Sequence, residues 1–287
     1  MRGEAGDERA RVGEHRSVGR WRALLLDLDG VLYVEDEPIP GAVDAVAELR
    51  RAGLRLRFVT NTTARSRSRT LEKLDRLGFA VSEDELVTPA ALAVRHCAER
   101  GHRRVALVMN DEVKRDFAEL DETDEEPDAV IVGDLGTAFG YGVLNRAFRA
   151  VMDGAELVAL QKNRYWLTAD GLALDVGPFV AALEYASGQE AYVVGKPSPF
   201  FFELVLADLG VEVASAAMVG DDVEADIGGA LRAGLAGILV RTGKYRPGAA
   251  EAAGIEPTAT VDSIRAIPKL VVASEPGLRS GRGHLGG

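Results

Sequence analysis

A chain of 287 residues, 47% hydrophobic and 28% charged, is long enough for one large α/β domain or two medium ones with a substantial core. Its formal charge of −11 argues against a nucleic-acid binder, because phosphate backbones are held by clustered Lys and Arg. The same charge does not exclude a phosphorylated small molecule, since a bound cation reverses the potential locally.

Residues 1–20 are charged, lack the apolar centre of a secretory signal, and are expected to form a flexible extension. The first apolar run, Arg22 to Leu28, reads as a buried strand that ends in the turn Asp27-Leu28-Asp29-Gly30. Val43, Val46, Ala47 and Leu49 fall at helical spacing between Gly41 and Gly53. Leu54 to Val59 is the next predicted strand, running into Thr60-Asn61-Thr62, and Arg67 to Leu77 the next helix. Strand alternating with helix is the pattern of a parallel sheet with right-handed crossovers.

Leu86 to Arg100 reads as a helix leading out of this block. Then follow a strand at Val105 to Met109 and a helix at Val113 to Leu120. The acidic stretch Asp121 to Glu126 is expected to be a solvated loop. Ala129 to Val132 and Glu156 to Leu160 read as strands, Tyr141 to Met152 and Pro178 to Ser187 as helices. This middle region has its own βα alternation and suits a separate small domain.

The first pattern then resumes. Ala191 to Val194 is a predicted strand leading to Gly195-Lys196-Pro197, and Pro199 to Leu209 a helix with Ser198 as N-cap. Ala216 to Val219 is a strand ending at Gly220-Asp221-Asp222, Asp226 to Ala233 a helix, Gly237 to Val240 a strand, and Asp262 to Ile267 a closing helix. The Gly- and Arg-rich end, 273–287, is expected to be a flexible tail. No run of about eighteen apolar residues occurs, so neither a transmembrane helix nor a membrane partner is expected. The single cysteine, Cys97, rules out an internal disulfide, fits a reducing cytoplasm, and sits where a buried apolar role is expected.

Ligands of an open parallel sheet bind outside the carboxyl ends of its strands. Four predicted strand ends carry polar groups: Asp27 with Asp29, Thr60 with Asn61, Lys196, and Asp221 with Asp222. Each alone has a plainer reading. Asp29-Gly30 is a common turn, Thr60-Asn61 can cap a helix, Lys196 can be a surface lysine, and Asp222 with Asp226 can be first-turn charges. Together they compose one chemistry. Asp27, Asp29 and Asp221 make a hard oxygen site suited to Mg²⁺. A carboxylate attacks a phosphoryl group once a metal offsets the repulsion between two anions. Lys196 stabilises charge, Thr60 and Asn61 hydrogen-bond phosphoryl oxygens, and Asp29 protonates the leaving oxygen and later activates water.

Asp27-Leu28-Asp29-Gly30-Val31, Thr60, Lys196 and Gly220-Asp221-Asp222-Val223-Glu224-Ala225-Asp226 resemble the four motifs of the haloacid dehalogenase superfamily, in order, across roughly residues 22–270. The room between Thr60 and Lys196 resembles the subclass with a large α/β cap, subfamily IIA, typified by the NagD phosphatases. The stretches Phe58 to Thr63, Asp170 to Leu174, Leu183 to Ala186, Val194 to Pro197 and Thr242 to Arg246 are similar to one branch of it.

The resemblance implies an α/β fold: a Rossmann-like parallel-sheet core, 21–100 and 190–272, with an inserted smaller α/β cap domain, 101–189. It implies Asp27 as nucleophile and metal ligand, Asp29 as acid/base ligating Mg²⁺ through its backbone carbonyl, and Asp221 completing the ligands. Asp222 and Asp226 take supporting places, and Thr60, Asn61 and Lys196 hold the phosphoryl group. The second carboxylate, Asp29, favours phosphatase over dehalogenase chemistry. In relatives the cap segment Gln161 to Trp166 faces the active site, so Lys162, Asn163 and Arg164 are candidates for substrate contact. Lys162 and Arg164 can equally be plain surface charges, and Tyr165 and Trp166 cap core. The expected partner is a small phosphorylated metabolite, with a homodimer through the cap as a further expectation. The alternative is an inactive phosphate-binding protein of the same fold.

Overall fold

Leu24, Leu25 and Leu26 are all fully buried, and their side chains alternate between two apolar clusters. Leu24 and Leu26 join Leu49, Phe58 and Val219 on one face; Ala23 and Leu25 join Val59 and Met218 on the other. A strand covered on both faces has to read as a continuous apolar run, and Ala23–Asp27 does. The computed structural model describes residues 21–168 and 171–273. The expected extension 1–20 and the tail beyond Ala273 lie outside the described residues, as does Asp170.

Ala23–Asp27 is a central strand of a six-stranded parallel sheet. It pairs with Ala216–Gly220 on one side and Arg55–Val59 on the other. Ala236–Val240 and Ala259–Val261 extend the first side, and Leu86–Val87 the second. A second, five-stranded parallel sheet runs in the order Tyr192–Val193, Glu156–Ala159, Ala129–Val132, Arg104–Val108, Asp121–Glu122. Helices Pro89–Arg100 and Pro199–Leu209 pack between the sheets: Leu92, Ala93, Phe201, Phe202 and Val205 share a cluster with Leu25 of the first and Val105, Ile131 and Val158 of the second. Val130, Val132, Leu157 and Ala159 pack outward against helices Tyr141–Met152 and Gly177–Ser187. Cys97 lies in the shared cluster, where burial pushes its thiol up to about 11, in keeping with an apolar role.

Several expected elements change. Leu86–Val87 is an edge strand, not the start of a helix; Thr88 caps the helix by accepting from Ala91 N, with Pro89 in its first turn. Asp121–Glu122, expected as loop, forms an exposed edge strand, because its pairing uses backbone groups: Asp121 N donates to Arg103 O and Thr123 N to Val105 O. The predicted helix Val113–Leu120 shortens to Asp111–Lys114 and a 3-10 turn. Ser198 stands at an N-cap position without a side-chain cap bond. The helix expected at Asp226 begins earlier, as a π-helical turn Val223–Gly228 capped by Asp222. Two antiparallel hairpins were not anticipated, Tyr33–Val34 with Glu37–Pro38 and Tyr165–Thr168 with Gly171–Leu174. The largest change concerns Tyr192–Val193. Expected to rejoin the first sheet, it pairs with Val158 and Ala159 of the second.

Candidate active site

Both parallel sheets aim their carboxyl ends into one cavity of about 240 Å³. Its lining includes Asp27, Asp29, Thr60, Asn61, Lys196, Asp222 and Asp226. Four strand-end motifs far apart in the chain therefore meet.

Lys196 reaches the first sheet's carboxylates from a second-sheet strand through a two-way clamp. Asn61 Nδ2 donates to Lys196 O at 2.7 Å, and Lys196 N donates to Asn61 Oδ1 at 2.9 Å. The Asn61 side chain therefore also positions Lys196, with one Nδ2 hydrogen left over in the cavity that it lines. Gly195 permits the approach, since a Cβ there would lie 2.5 Å from Leu160 O and 2.9 Å from Asn61 Oδ1. Lys196 Nζ then donates to Asp27 Oδ1 and Asp226 Oδ1, both at 2.6 Å. Thr60 is buried and does not cap a helix; that role falls to Ser66. Thr60 Oγ1 accepts from Thr62 N at 3.0 Å, which leaves its hydroxyl proton for a ligand.

Asp226 Oδ2 accepts from Asp222 N at 3.2 Å, so both its oxygens are engaged. Asp222 in turn accepts from Glu224 N and Ala225 N as helix cap, the plainer reading of that residue. Asp221 Oδ2 accepts from Lys244 N at 2.6 Å. Asp27 and Asp221 each keep one oxygen without a hydrogen-bond partner among the described residues. Oxygens of Asp27, Asp221 and Asp226 lie within 4.8 Å of one another.

Burial, opposed by Lys196, raises the Asp27 carboxyl. Burial with Asp27 and Asp226 nearby pushes Asp221 up to about 8, and burial pushes Asp226 up to about 7 against the pull of Lys196. Burial alone would lower Lys196, but Asp226 and Asp27 outweigh it and hold the ammonium above its ordinary range. Three buried carboxylates face one buried ammonium.

Gly30 lets these groups come so close. Its φ is +84°, and a Cβ there would lie 1.9 Å from Asp221 Oδ2. Gly30→Ala is expected to destabilise the fold by about 2 kcal/mol or more, from the left-handed backbone and the collision together. It should also lower turnover by displacing Asp221. Melting temperature and phosphate release check this, and a wild-type profile in both would overturn the steric argument.

The cap segment divides. Asn163 and Trp166 line the cavity with Gln161, Asp134 and Asp175. Lys162 instead pairs with Glu184 at 2.6 Å. Arg164 lies over the Tyr165 ring and 3.9 Å from Glu224. Neither cation lines the cavity, which corrects the expectation that they contact substrate. Trp166 and Tyr165 are about half exposed, so neither is cap core. Lys244, which was given no role, lines the cavity; its Thr-Gly-Lys context was the available signal.

Comparison with known proteins agrees with this geometry. Residues 24–123 match the family model for haloacid dehalogenase-like hydrolase, and residues 193–267 a HAD-hydrolase-like model. Human haloacid dehalogenase-like hydrolase domain-containing protein 2 is 46% identical over 242 residues, 84% of this chain and 92% of that protein. Human phospholysine phosphohistidine inorganic pyrophosphate phosphatase is 44% identical over 232 residues, 79% of this chain and 85% of that one. The crystal structure of a glycerol phosphate phosphatase from Mycobacterium tuberculosis, in complex with magnesium, superimposes with a TM-score of 0.77 at 32% identity, covering 91% of this chain and 82% of that one. With such identity along most of its length, the chain belongs to the haloacid dehalogenase-like hydrolases and is one of their phosphatases.

Proposed function

We propose that this phosphatase hydrolyses a small phosphate monoester in two steps through a phosphorylated Asp27, with Mg²⁺ as its metal. The observation that carries the reading is the Asp27–Lys196–Asp226 bridge, which ties down Asp27 Oδ1 and leaves Oδ2 as the attacking atom.

The residues fit a divalent cation. Were all three buried carboxylates ionised, the one buried ammonium would leave two negative charges uncompensated. Without metal the raised Asp221 and Asp226 carboxyls avoid that state by keeping protons, and one Mg²⁺ would balance it instead. Asp221 would offer its partnerless oxygen and Asp27 the second lone pair of Oδ1 beside Lys196, with the Asp29 carbonyl as the resemblance implies. Asp222 and Asp226 support them. The relative solved with magnesium is consistent with that choice. When bound, the metal supplies positive charge that lets one anion approach another.

In the first step Asp27 Oδ2 bonds to phosphorus while the phosphorus–oxygen bond to the leaving group breaks, and Asp29 gives that oxygen its proton. In the second, water oxygen bonds to phosphorus, Asp29 takes the water's proton, and the bond to Asp27 breaks to release phosphate. Lys196 and the Thr60 hydroxyl hold the phosphoryl oxygens. The inactive alternative is disfavoured, because nucleophile, acid/base and lysine are all present in one cavity.

A second reading rests on the cap side of the cavity, where Asp134 and Asp175 stand beside Trp166. That wall favours a neutral or cationic remainder over a second phosphate. Of the compounds in its relative's name, phospholysine and phosphohistidine suit it better than pyrophosphate. Residues 101–189 act as the cap in this reading, with a dimer through it and a cytoplasmic location also proposed. Among the described residues no helix is long and apolar enough to cross a membrane.

The test is phosphate release from 4-nitrophenyl phosphate with Mg²⁺; full activity in excess chelator would sink the metal-dependent scheme. A panel of monoesters and phosphoramidates then ranks the substrates. A pH test follows from the raised carboxyls. In the metal-free fold Asp221 and Asp226 keep protons up to about 8 and about 7, whereas unfolded they lose them near 3.8. The folded state binds more protons across that window, so stability falls as pH rises through it. Melting temperature in chelator should decline between pH 6 and 8.5, and the increase given by Mg²⁺ should be larger at pH 8 than at pH 6. A flat profile would contradict the buried-charge argument.

A further inference from the structure

The turn that carries Asp29 closes on itself. Leu28 O accepts from the backbone N of Val31, Leu32 and Tyr33, and Gly30 N donates to Tyr33 O at 2.7 Å. Asp29 and Tyr33 also form a backbone bridge. The turn thereby folds the Tyr33 phenol back onto its own loop, where the hydroxyl donates to Asp29 Oδ2 at 3.3 Å.

The ring is fixed from below. Tyr33 is 2% exposed, and Lys73 Nζ sits 4.0 Å from the ring centroid, within cation–π range. Lys73 is itself buried and lies 3.6 Å from Asp36 in the same hairpin turn. Burial, with Asp29 and Asp27 nearby, pushes the Tyr33 hydroxyl well above the ordinary range, so it remains a donor at any working pH. Asp29 is exposed to the cavity. Among the described residues, Tyr33 is the only side chain that hydrogen-bonds its carboxyl. An exposed carboxyl with no other anchor would turn freely about its own bonds, and an acid has to present one oxygen to the leaving group.

We propose that Tyr33 is a positioning residue: by donating to Oδ2 of Asp29 it makes Oδ1 the oxygen that carries the proton toward the leaving group. This rests on the reading of Asp29 as the acid. In the first step the proton passes from Asp29 Oδ1 to the leaving oxygen as its bond to phosphorus breaks. In the second, Oδ1 accepts a proton from the attacking water. Tyr33 keeps its own proton throughout, and Lys73 with Asp36 holds the ring in place.

Leaving-group acidity separates this role from a merely structural one. A leaving group that is already a good anion needs little protonation, whereas a poor one depends on the acid. The first half-reaction should be followed in single turnovers with Mg²⁺, using 4-nitrophenyl phosphate and phenyl phosphate, in wild type, Tyr33→Phe and Asp29→Asn. Asp29→Asn is expected to slow phenyl phosphate by about 10²-fold or more and 4-nitrophenyl phosphate by much less. Tyr33→Phe, with a near-wild-type melting temperature, should slow phenyl phosphate about fivefold to tenfold and 4-nitrophenyl phosphate by less than about twofold, the scale of one lost hydrogen bond. Lys73→Met, which leaves the hydroxyl but frees the ring, should move phenyl phosphate in the same direction. If Tyr33→Phe slows both substrates alike, or neither, while Asp29→Asn shows the dependence, the positioning role is wrong. If Asp29→Asn itself shows no leaving-group dependence, the acid reading fails and the role of Tyr33 falls with it.

Discussion

Asp27→Asn is expected to abolish phosphate release, by about 10⁴-fold or more, as loss of a covalent nucleophile does. An amide of the same shape cannot attack phosphorus, and without its negative charge it is a weaker ligand for a metal. The fold should survive. Lys196 keeps Asp226 at 2.6 Å, and the burial that raises the Asp27 carboxyl no longer costs anything once the group is neutral. In chelator the variant should therefore melt at or above the wild-type temperature, while the stabilisation given by Mg²⁺ shrinks. That pairing, lost turnover with retained or raised metal-free stability, distinguishes a dead nucleophile from a damaged fold. Appreciable turnover by the variant would mean that another group attacks phosphorus.

Lys196→Met should do the reverse to stability. The methionine fills a similar space without charge, so Asp27 and Asp226 lose the ammonium that bridges them. Breaking a buried pair in this way costs about 3–5 kcal/mol, and turnover should drop about 10²-fold to 10³-fold as charge stabilisation disappears. Lowering the pH to 6 should recover part of the stability, because burial already raises both carboxyls and each proton taken up removes a charge in need of a partner. Denaturant melts at pH 6 and pH 8 measure this. A Lys196→Met protein as stable as wild type at pH 8 would show that the carboxylates are not charged together in the fold.

Much of the site was legible because its chemistry dictates residue types at strand ends, a local feature. Asp27, Thr60, Lys196 and Asp221 each follow an apolar run, and no plainer reading covered all four. The less local the property, the poorer the reading became. Asn61 was placed beside the site as a phosphate ligand, but nothing in the chain shows that its amide also clamps the backbone of Lys196, 135 positions away. Lys162 and Arg164 stood as candidate substrate contacts, through the place of their segment in relatives, beside a reading as plain surface charges. Only packing shows that Glu184 holds the first and that the second lies over Tyr165. The short strands Leu86–Val87 and Asp121–Glu122 were missed since edge pairing uses backbone groups that every sequence carries.

By itself the sequence pointed to phosphatase chemistry: two carboxylates two residues apart, a hydroxyl, a lysine and a further aspartate at strand ends, in an order that few chemistries require. The tertiary structure alone decided how those groups combine. It put Lys196 in the turn after a second-sheet strand and brought it 2.6 Å from Asp27 across 169 positions. It set three carboxylates against one ammonium, and it turned Asp134 and Asp175 inward with Lys162 and Arg164 outward. Residue type is a property of one position, whereas a pair's separation and a cavity's net charge depend on how two sheets pack around a shared core.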